Sequence, residues 1–418
     1  MFCDFESLTP TQKGTRVEQT QERTAGVDWG SAEHAAVILA QDGTVTRRLT
    51  VPDTAAGHEK LVLALREAQV AKVGIERSDG PLVASLLAAG FSVCVVESSR
   101  VRGYRLRYGT AANKDDLHDA FVLADAVRTD QGRLVPLVPD SGETVALRRL
   151  VRARKGLVEQ RVAVANQLRS HLVVYYPAGQ ALFVRIDSKA NLAFLRRFPT
   201  QQKADWLSPR RMQRWVESIG YSGRVEADRL YEKLSAAPSG VVGVEADGAA
   251  VITLSYVAIL ETLKEQIATL TDEIDRSFAA HPDAPIFASL PRSGTLRAAR
   301  LLAEIGDARG RFPTADSLAC LAGVVPSTRQ SGKSRVVTFR YVADKKLRDA
   351  LCDFAGDTRK STPWAAELYE QARNRGHTHQ HAVRVLGRSW SRVIWRCWRD
   401  GALYDPDVRR DTGACPAS

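Results

Sequence analysis

Ala25-Gly26-Val27-Asp28-Trp29-Gly30 is a short apolar run that ends on a carboxylate, and the organisation of the N-terminal third follows from it. The run reads as a strand. Ala35 to Ala40 is a second apolar run, and Thr44 to Val51 a third, with Val45, Arg47, Leu49 and Val51 expected on one face. Gln41-Asp42-Gly43 supplies the turn between the last two, since Asp-Gly tolerates tight hairpin backbone.

Further along, Leu61, Leu65 and Ala68 form an apolar helical stripe, Lys72-Val73-Gly74-Ile75-Glu76 reads as a fourth strand, Leu82 to Ala89 as a helix and Phe91 to Val96 as a strand. A last helix carries Lys114-Asp115-Asp116-Leu117-His118-Asp119-Ala120. The order β-β-β-α-β-α-β-α is that of a ribonuclease H-like α/β architecture, in which the first and fourth strands are central neighbours. Asp28 and Glu76 are therefore expected to converge, and Asp116 and Asp119, three apart, share a helical face. Asp115 rivals Asp116 but lacks that relation to Asp119. Four crowded carboxylates repel one another unless cations lie between them. Oxygen ligands suit Mg²⁺ or Mn²⁺, and two such ions about 3.5 to 4 Å apart can activate a nucleophile and stabilise a leaving oxygen. Any one of these acids alone reads more readily as a surface or capping residue than as a catalytic one. Their joint type, order and placement point to phosphodiester chemistry on nucleic acid.

A second cluster is Leu321-Ala322-Gly323-Val324-Val325-Pro326-Ser327-Thr328-Arg329-Gln330-Ser331-Gly332-Lys333. A hydroxyl is a weak nucleophile without a base, a metal or strong positive charge nearby. Ser331 is flanked by Arg329, Lys333 and Arg335, which could hold a scissile phosphate; a plain polar turn is the alternative, and Ser327 and Ser334 compete as candidates.

With both clusters in view, the chain resembles the DEDD-type insertion-sequence transposases, also described as bridge-RNA-guided recombinases. Asp28, Glu76, Asp116 and Asp119 match that family's acidic positions, and Ser331, before Gly332, matches its serine nucleophile. The likeness covers most of Ala25 to Arg161 and of Ile286 to Pro406, including Leu290-Pro291 and Arg311-Phe312-Pro313. It implies a RuvC-like nuclease domain, a helical connector and a C-terminal transposase domain, a covalent phosphoserine link to DNA, and a noncoding guide RNA. Asp115 stands where the family usually has threonine or serine. Pro291-Arg292-Ser293-Gly294 and Thr338-Phe339-Arg340 also depart from its pattern.

The expected division is a disordered polar tail (1–24), the nuclease domain (25–140), a helical coiled-coil connector with an insertion (141–285), a mostly helical transposase domain (286–405) and a tail (406–418). At 418 residues and 44% hydrophobic content, two or three domains with sizeable cores are expected. No uninterrupted apolar run approaches the roughly 18 residues that span a bilayer, and Met1 to Thr24 is too polar for a signal peptide, so a cytoplasmic location without membrane contact is expected. Cys3, Cys94, Cys320, Cys352, Cys397 and Cys415 lack metal-binding or disulfide spacing, and His377, His379 and His381 read as polar groups at a helix start.

A net charge of +11 suits a polyanionic partner, and its distribution says more. Arg100, Arg102, Arg105 and Arg107 alternate with Val101, Tyr104, Leu106 and Tyr108, while Arg148, Arg149, Arg152, Arg154, Lys155 and Arg161 crowd the next helix. Near the C-terminus Arg384, Arg388, Arg392 and Arg396 recur every fourth residue, a phosphate-tracking ridge or a solvated face, with Trp390, Trp395 and Trp398 read as core. Glu143 to Tyr176 and Gly248 to Ala279 read as long helices that could form an antiparallel arm or the seam of a homodimer or tetramer, or equally present an ordinary buried face, with Val251, Leu254, Val257, Leu260, Leu263, Ile267 and Leu270 as the stripe. Two other readings stand beside the recombinase. An actin-like ATPase or sugar kinase would use Asp28-Trp29-Gly30-Ser31 as one phosphate hairpin and need a second near Ala246-Asp247-Gly248-Ala249. A noncatalytic nucleic-acid-binding protein would keep the fold alone.

Overall fold

The computed structural model describes residues 22–108, 115–332 and 334–407, so most of both expected tails and Lys333 lie outside the described residues. The chain divides into two compact units after Pro139. The first contains β1 (Arg23–Trp29), β2 (Glu33–Leu39), β3 (Val45–Pro52), α1 (Ala55–Glu67), β4 (Val70–Ile75), α2 (Pro81–Ala88), β5 (Ser92–Val95), α3 (Ser98–Arg105) and α4 (Asp116–Thr129). Its five-stranded mixed sheet has the order β3-β2-β1-β4-β5. β1 pairs antiparallel with β2 and parallel with β4, which makes the first and fourth strands central neighbours, as their order predicts.

Two features depart from expectation. The arginine-rich segment after β5 is a helix, α3, whose apolar contribution is chiefly the buried Val101, too little to give a helical stripe in the sequence. In β3 a register shift at Ile38/Leu39 pairs Leu39 with Val45 and Ile38 with Arg47. Val45 therefore packs on one face of the sheet, with Ala35, Val37 and Leu39, and Leu49 on the other, with Ala36, Ile38 and Val51. The expected single face of β3 is thus split by the irregularity.

Glycine determines how α4 sits on the sheet. Gly26 and Gly74 are register partners in the two central strands. A Cβ built on Gly26 would lie 2.0 Å from the Ala120 carbonyl oxygen and 2.3 Å from the Ala124 nitrogen, and one on Gly74 would lie 2.6 Å from the Leu123 oxygen. Helix backbone rests directly on strand backbone, and the Thr24 hydroxyl donates to the Ala124 carbonyl at 3.2 Å.

In the second unit the order is α5 (Gly142–Tyr175), α6 (Pro177–Ala181), α7 (Lys189–Arg197), α8 (Gln201–Ala204), α9 (Pro209–Ser218), α10 (Ala227–Ala236), α11 (Val244–Ala279), α12 (Ala284–Ala288), α13 (Gly294–Ile305), α14 (Ala315–Leu321), β6 (Ser327–Ser331), β7 (Ser334–Thr338), α15 (Lys345–Thr358), α16 (Pro363–Asn374) and α17 (His379–Asp400). The two long helices run antiparallel: Thr144 bonds His281, Arg154 bonds Thr271 and His171 bonds Thr253. Leu147, Val151, Ile274 and Phe278 at one end join the core of the C-terminal helices, while Leu168, Leu172, Val257 and Leu260 at the other join the core of α6 to α10. Of the expected stripe, Val257, Leu260 and Ile267 are buried but Val251 and Leu254 are exposed. By length and composition alone α11 could cross a membrane. Its packing against α5 and its share in both cores are those of a helix inside a folded unit. Ala246-Asp247-Gly248-Ala249 lies within α11, so the ATPase reading loses its second phosphate loop.

The glycine contact yields a prediction. Gly26→Ala forces α4 off the sheet and should cost at least the roughly 1–3 kcal/mol typical of overpacking, read by urea denaturation. Unchanged stability would show that α4 has room the geometry denies it.

Candidate active site

Two strand residues of β1 advance about 6.8 Å and four helical residues about 6.0 Å. Thr24 meets Ala124 and Gly26 meets Ala120, so α4 runs antiparallel to β1, four residues for every two. The next step of that stride carries Asp28 to the level of Asp116, at the start of α4. Asp28 pairs with Ala35, whose side chain packs with Ala120 and Ala124, so strand alternation puts Asp28 on the sheet face that α4 covers. Glu76 follows Ile75, the register partner of Val27. Register and helix placement thus bring Asp28, Glu76 and the first turn of α4 to one end of the sheet.

Within that turn the three acids differ. Asp115 is the N-cap, its side chain accepting from the Leu117 amide at 3.1 Å. Asp116 is exposed, and Asp119 is 4% exposed. The Arg105 guanidinium lies 2.6 Å from Asp119 Oδ2 and 4.0 Å from Glu76 Oε1, so one cation from α3 spans two of the four acids. Ser98 donates to Glu76 at 3.1 Å. Arg105, expected as a nucleic-acid contact, is thus an internal counter-ion; Arg100 and Arg102, on the same helix, are exposed.

One buried acid of α4 escaped the sequence reading. Asp125 accepts from Arg128 at 2.6 Å and 2.9 Å and from the Tyr108 hydroxyl. Burial and the Asp125 carboxylate push Tyr108 up to about 12. Its position two turns from the acidic end marks it as a structural anchor, and nothing in its local sequence separates it from Asp119.

Ser331 closes β6 and pairs with Ser334 across the turn that contains Gly332, whose φ is 54°. Both strands are exposed except Ser327 at the base. Strand alternation puts Arg329 and Ser331 on one face, with partners Val336 and Ser334, while Arg335 pairs with Gln330 on the other. The base is tied by Arg340 to the Val325 carbonyl at 3.2 Å, and Phe339 lies between the guanidiniums of Arg348 and Arg384, 4.7 Å from each.

The remaining basic candidates separate by partner. Arg148 bonds Asp140 and the Ala303 carbonyl, and Arg152 holds buried Glu304 through two contacts of 2.9 Å and 2.6 Å. Both serve the fold, while Arg149 between them is exposed. Along α17, Arg388 is half-buried and Arg392 is 48% exposed, 3.8 Å from Asp316. Trp390 and Trp398 are fully buried and donate to Thr358 and the Gly306 carbonyl, which confirms them as core.

Comparison with known proteins shows the family to which the chain is related. A family model described as a transposase, of the DEDD IS110 type, matches residues 25–177, and one for the IS116/IS110/IS902 transposase family matches residues 284–370. A mini-circle protein for IS117 from Streptomyces coelicolor, a transposase by name, is 32% identical over 394 residues, covering 91% of this chain and 94% of its own. A 43.6 kDa protein of insertion element IS110 from the same organism is 30% identical over 70% of this chain and 72% of its own. A 44.8 kDa protein of insertion element IS116 from Streptomyces clavuligerus is 27% identical over 91% and 96%. The chain belongs to the IS110 family of insertion-element transposases.

Proposed function

We propose that this transposase cuts and rejoins DNA through a ribonuclease H-like, RuvC-like unit that binds divalent cations at Asp28, Glu76, Asp116 and Asp119, and through Ser331, which becomes joined to DNA. The observation that carries the reading is the arrival of three elements, the ends of β1 and β4 and the start of α4, at one end of the sheet, each bearing a carboxylate. The all-oxygen donor set fits Mg²⁺ or Mn²⁺, and the Arg105 guanidinium reaching both Asp119 and Glu76 marks the demand for positive charge there. When bound, such ions supply Lewis-acid stabilisation of charge on phosphodiester oxygens.

Arg105, 42% exposed, can leave the carboxylates as substrate and cations arrive. Ser331 stands exposed beside Gly332, where DNA backbone can approach, with Arg329 on its face to hold a phosphate. Its Oγ–P bond forms as the phosphodiester P–O bond breaks; the hydroxyl proton passes to solvent, and the departing deoxyribose oxygen takes one up. Arg100, Arg102, Arg149, Arg329, Arg335, Arg388 and Arg392 supply phosphate contacts, together with Lys333. Exposed Val244, Val251, Ile252 and Ile259 on α11 and Val173 and Val174 on α5 favour a homodimer or tetramer. Family membership favours a noncoding guide RNA as the source of target choice, and a cytoplasmic location.

Incubation with element-end DNA and Mg²⁺ tests this reading. Asp28→Ala, Glu76→Ala, Asp116→Ala and Asp119→Ala should each abolish strand cleavage with folding retained, whereas Asp115→Asn, which keeps a capping oxygen, should remain active. Full cleavage by Asp119→Ala would remove it from the site. Ser331→Ala should bind DNA and form no covalent adduct; mass-spectrometric mapping of the wild-type adduct to Ser327 or Ser334 would overturn the assignment. Protein freed of co-purifying RNA should lose site-specific recombination, and site-specific activity without RNA would leave direct protein readout of DNA.

The sorting of cations makes a further prediction. Arg149→Gln should flatten the dependence of log affinity on log salt by about 0.9, one phosphate contact. Arg152→Gln, which strands buried Glu304, should instead cost about 3 kcal/mol of stability. Equal behaviour of the two in binding and denaturation would refute the division.

A further inference from the structure

On the sheet face opposite Asp28, covered by α1 and α2, three side chains meet that the proposed chemistry does not use. His34 Nε2 lies 3.1 Å and His58 Nε2 2.8 Å from the same oxygen, Asp53 Oδ1. His34 comes from β2 and is fully buried, His58 lies in α1 and is 7% exposed, and Asp53 immediately precedes Thr54, the N-cap of α1. The Nε2 and carboxylate donor atoms lie within 4.8 Å of one another.

A serine completes the cluster. Ser85 Oγ lies 3.0 Å from the Pro81 carbonyl and 3.3 Å from His58 Nδ1. The Ser85 hydroxyl can donate to either; when it donates to Pro81, its Oγ is free to accept from a hydrogen on His58 Nδ1. In that tautomer the Nε2 lone pair faces the Asp53 oxygen 2.8 Å away, the arrangement that an ion held between them would use. His34 adds a second nitrogen to the same oxygen, and its own buried Nδ1 has no hydrogen-bond partner.

We propose that His34 Nε2, His58 Nε2 and the Asp53 carboxylate bind a transition-metal dication of the zinc class, at a site separate from the acidic quartet. Two imidazoles and a carboxylate are zinc donors, whereas the quartet offers oxygen alone. Ligands of a tetrahedral zinc ion stand about 3.3 Å apart, given Zn–N near 2.0–2.1 Å; the two nitrogen–oxygen separations, 3.1 Å and 2.8 Å, need to open by only a few tenths of an ångström. The Ser85 acceptor on His58 Nδ1 is the partner that orients a metal-binding imidazole. Three protein donors leave a fourth position for water beside Asp53, whose side chain is 28% exposed. Such an ion would pin β2, the β3–α1 turn and α1 together behind the strand that carries Asp28.

The test is spectroscopic and independent of DNA cleavage. Full-length protein stripped with a chelator and titrated with Co²⁺ should take up one ion per chain with the visible d–d bands of a four-coordinate nitrogen and oxygen site. Zn²⁺ should displace it. The bands should persist in Asp28→Ala, vanish in His58→Ala and Asp53→Ala, and need about 10- to 100-fold more metal in Ser85→Ala. Should His58→Ala or Asp53→Ala not fold, the wild-type spectrum and the Ser85→Ala titration still decide. Absence of d–d bands in the wild type overturns the proposal, as does their loss in Asp28→Ala alone or an NMR signature of His58 protonated on both nitrogens with Zn²⁺ present.

Discussion

The contact of α4 backbone with the backbone of β1 and β4 is the constraint on which the N-terminal unit depends. It requires glycine at two register partners, Gly26 and Gly74, because any side chain there would occupy space taken by the main chain of Ala120, Leu123 and Ala124. Close approach fixes the axial level of the helix as well as its distance. Once Ala120 sits over Gly26, the first turn of α4 must fall at the end of β1. The acids at 116 and 119 then arrive beside Asp28 with no long loop to position them. A site set by backbone packing in this way is held by the most rigid contacts the unit has, which suits chemistry that tolerates little misplacement.

Charge is the second organising influence, and net charge is a poor guide to it. The excess of cations appears in sequence as clusters, yet the folded chain spends many of them internally. Asp357 is held well below the usual carboxylate range by Lys360 and Arg292, and Arg297 also reaches it. Arg300 spans Asp349 and Asp353, and Arg152 clasps Glu304. Such pairs, made between elements far apart in sequence, fix how α5, α13 and α15 pack. What remains for a polyanion is the exposed subset, and neighbours in sequence separate cleanly: Arg148 faces Asp140 and the Ala303 carbonyl, while Arg149, one position on, faces solvent.

The legibility of the chain follows the same division. Strands and long helices were readable because their burial is periodic, and β1 to β5 appear in the expected order. The α/β order of the first unit and the long helices of the second therefore emerged from patterning, while the domain plan of the C-terminal part was implied by the family resemblance. The order of elements gave the neighbours of β1, hence the convergence of Asp28 and Glu76. Helix α3 was not readable, since its one buried apolar side chain, Val101, gives no period. Nor was the split of Val45 from Leu49, which depends on a register shift that no local composition announces. The internal roles of Arg105, Arg148 and Arg152, and the meeting of His34, Asp53 and His58, are long-range facts. Each depends on a partner that only the tertiary fold identifies.

The hairpin of β6 and β7 stands apart from this pattern of buried, mutually fixed groups. Its strands expose almost every side chain, including Val336 and Val337, and a two-stranded ribbon with no covered face is marginal by itself. The ties among the described residues lie at its base, where Thr338 donates to the Ser327 carbonyl and Phe339 is held between Arg348 and Arg384. Stability therefore declines from that base toward Ser331. If Ser331 is the nucleophile proposed above, it is only loosely oriented at such a tip, and a bound phosphate gripped from the Arg329 face would complete the ordering. On the function proposed above, the acidic site would be prepared by folding and the serine site by its substrate, which would keep the hydroxyl poorly aligned until DNA is present.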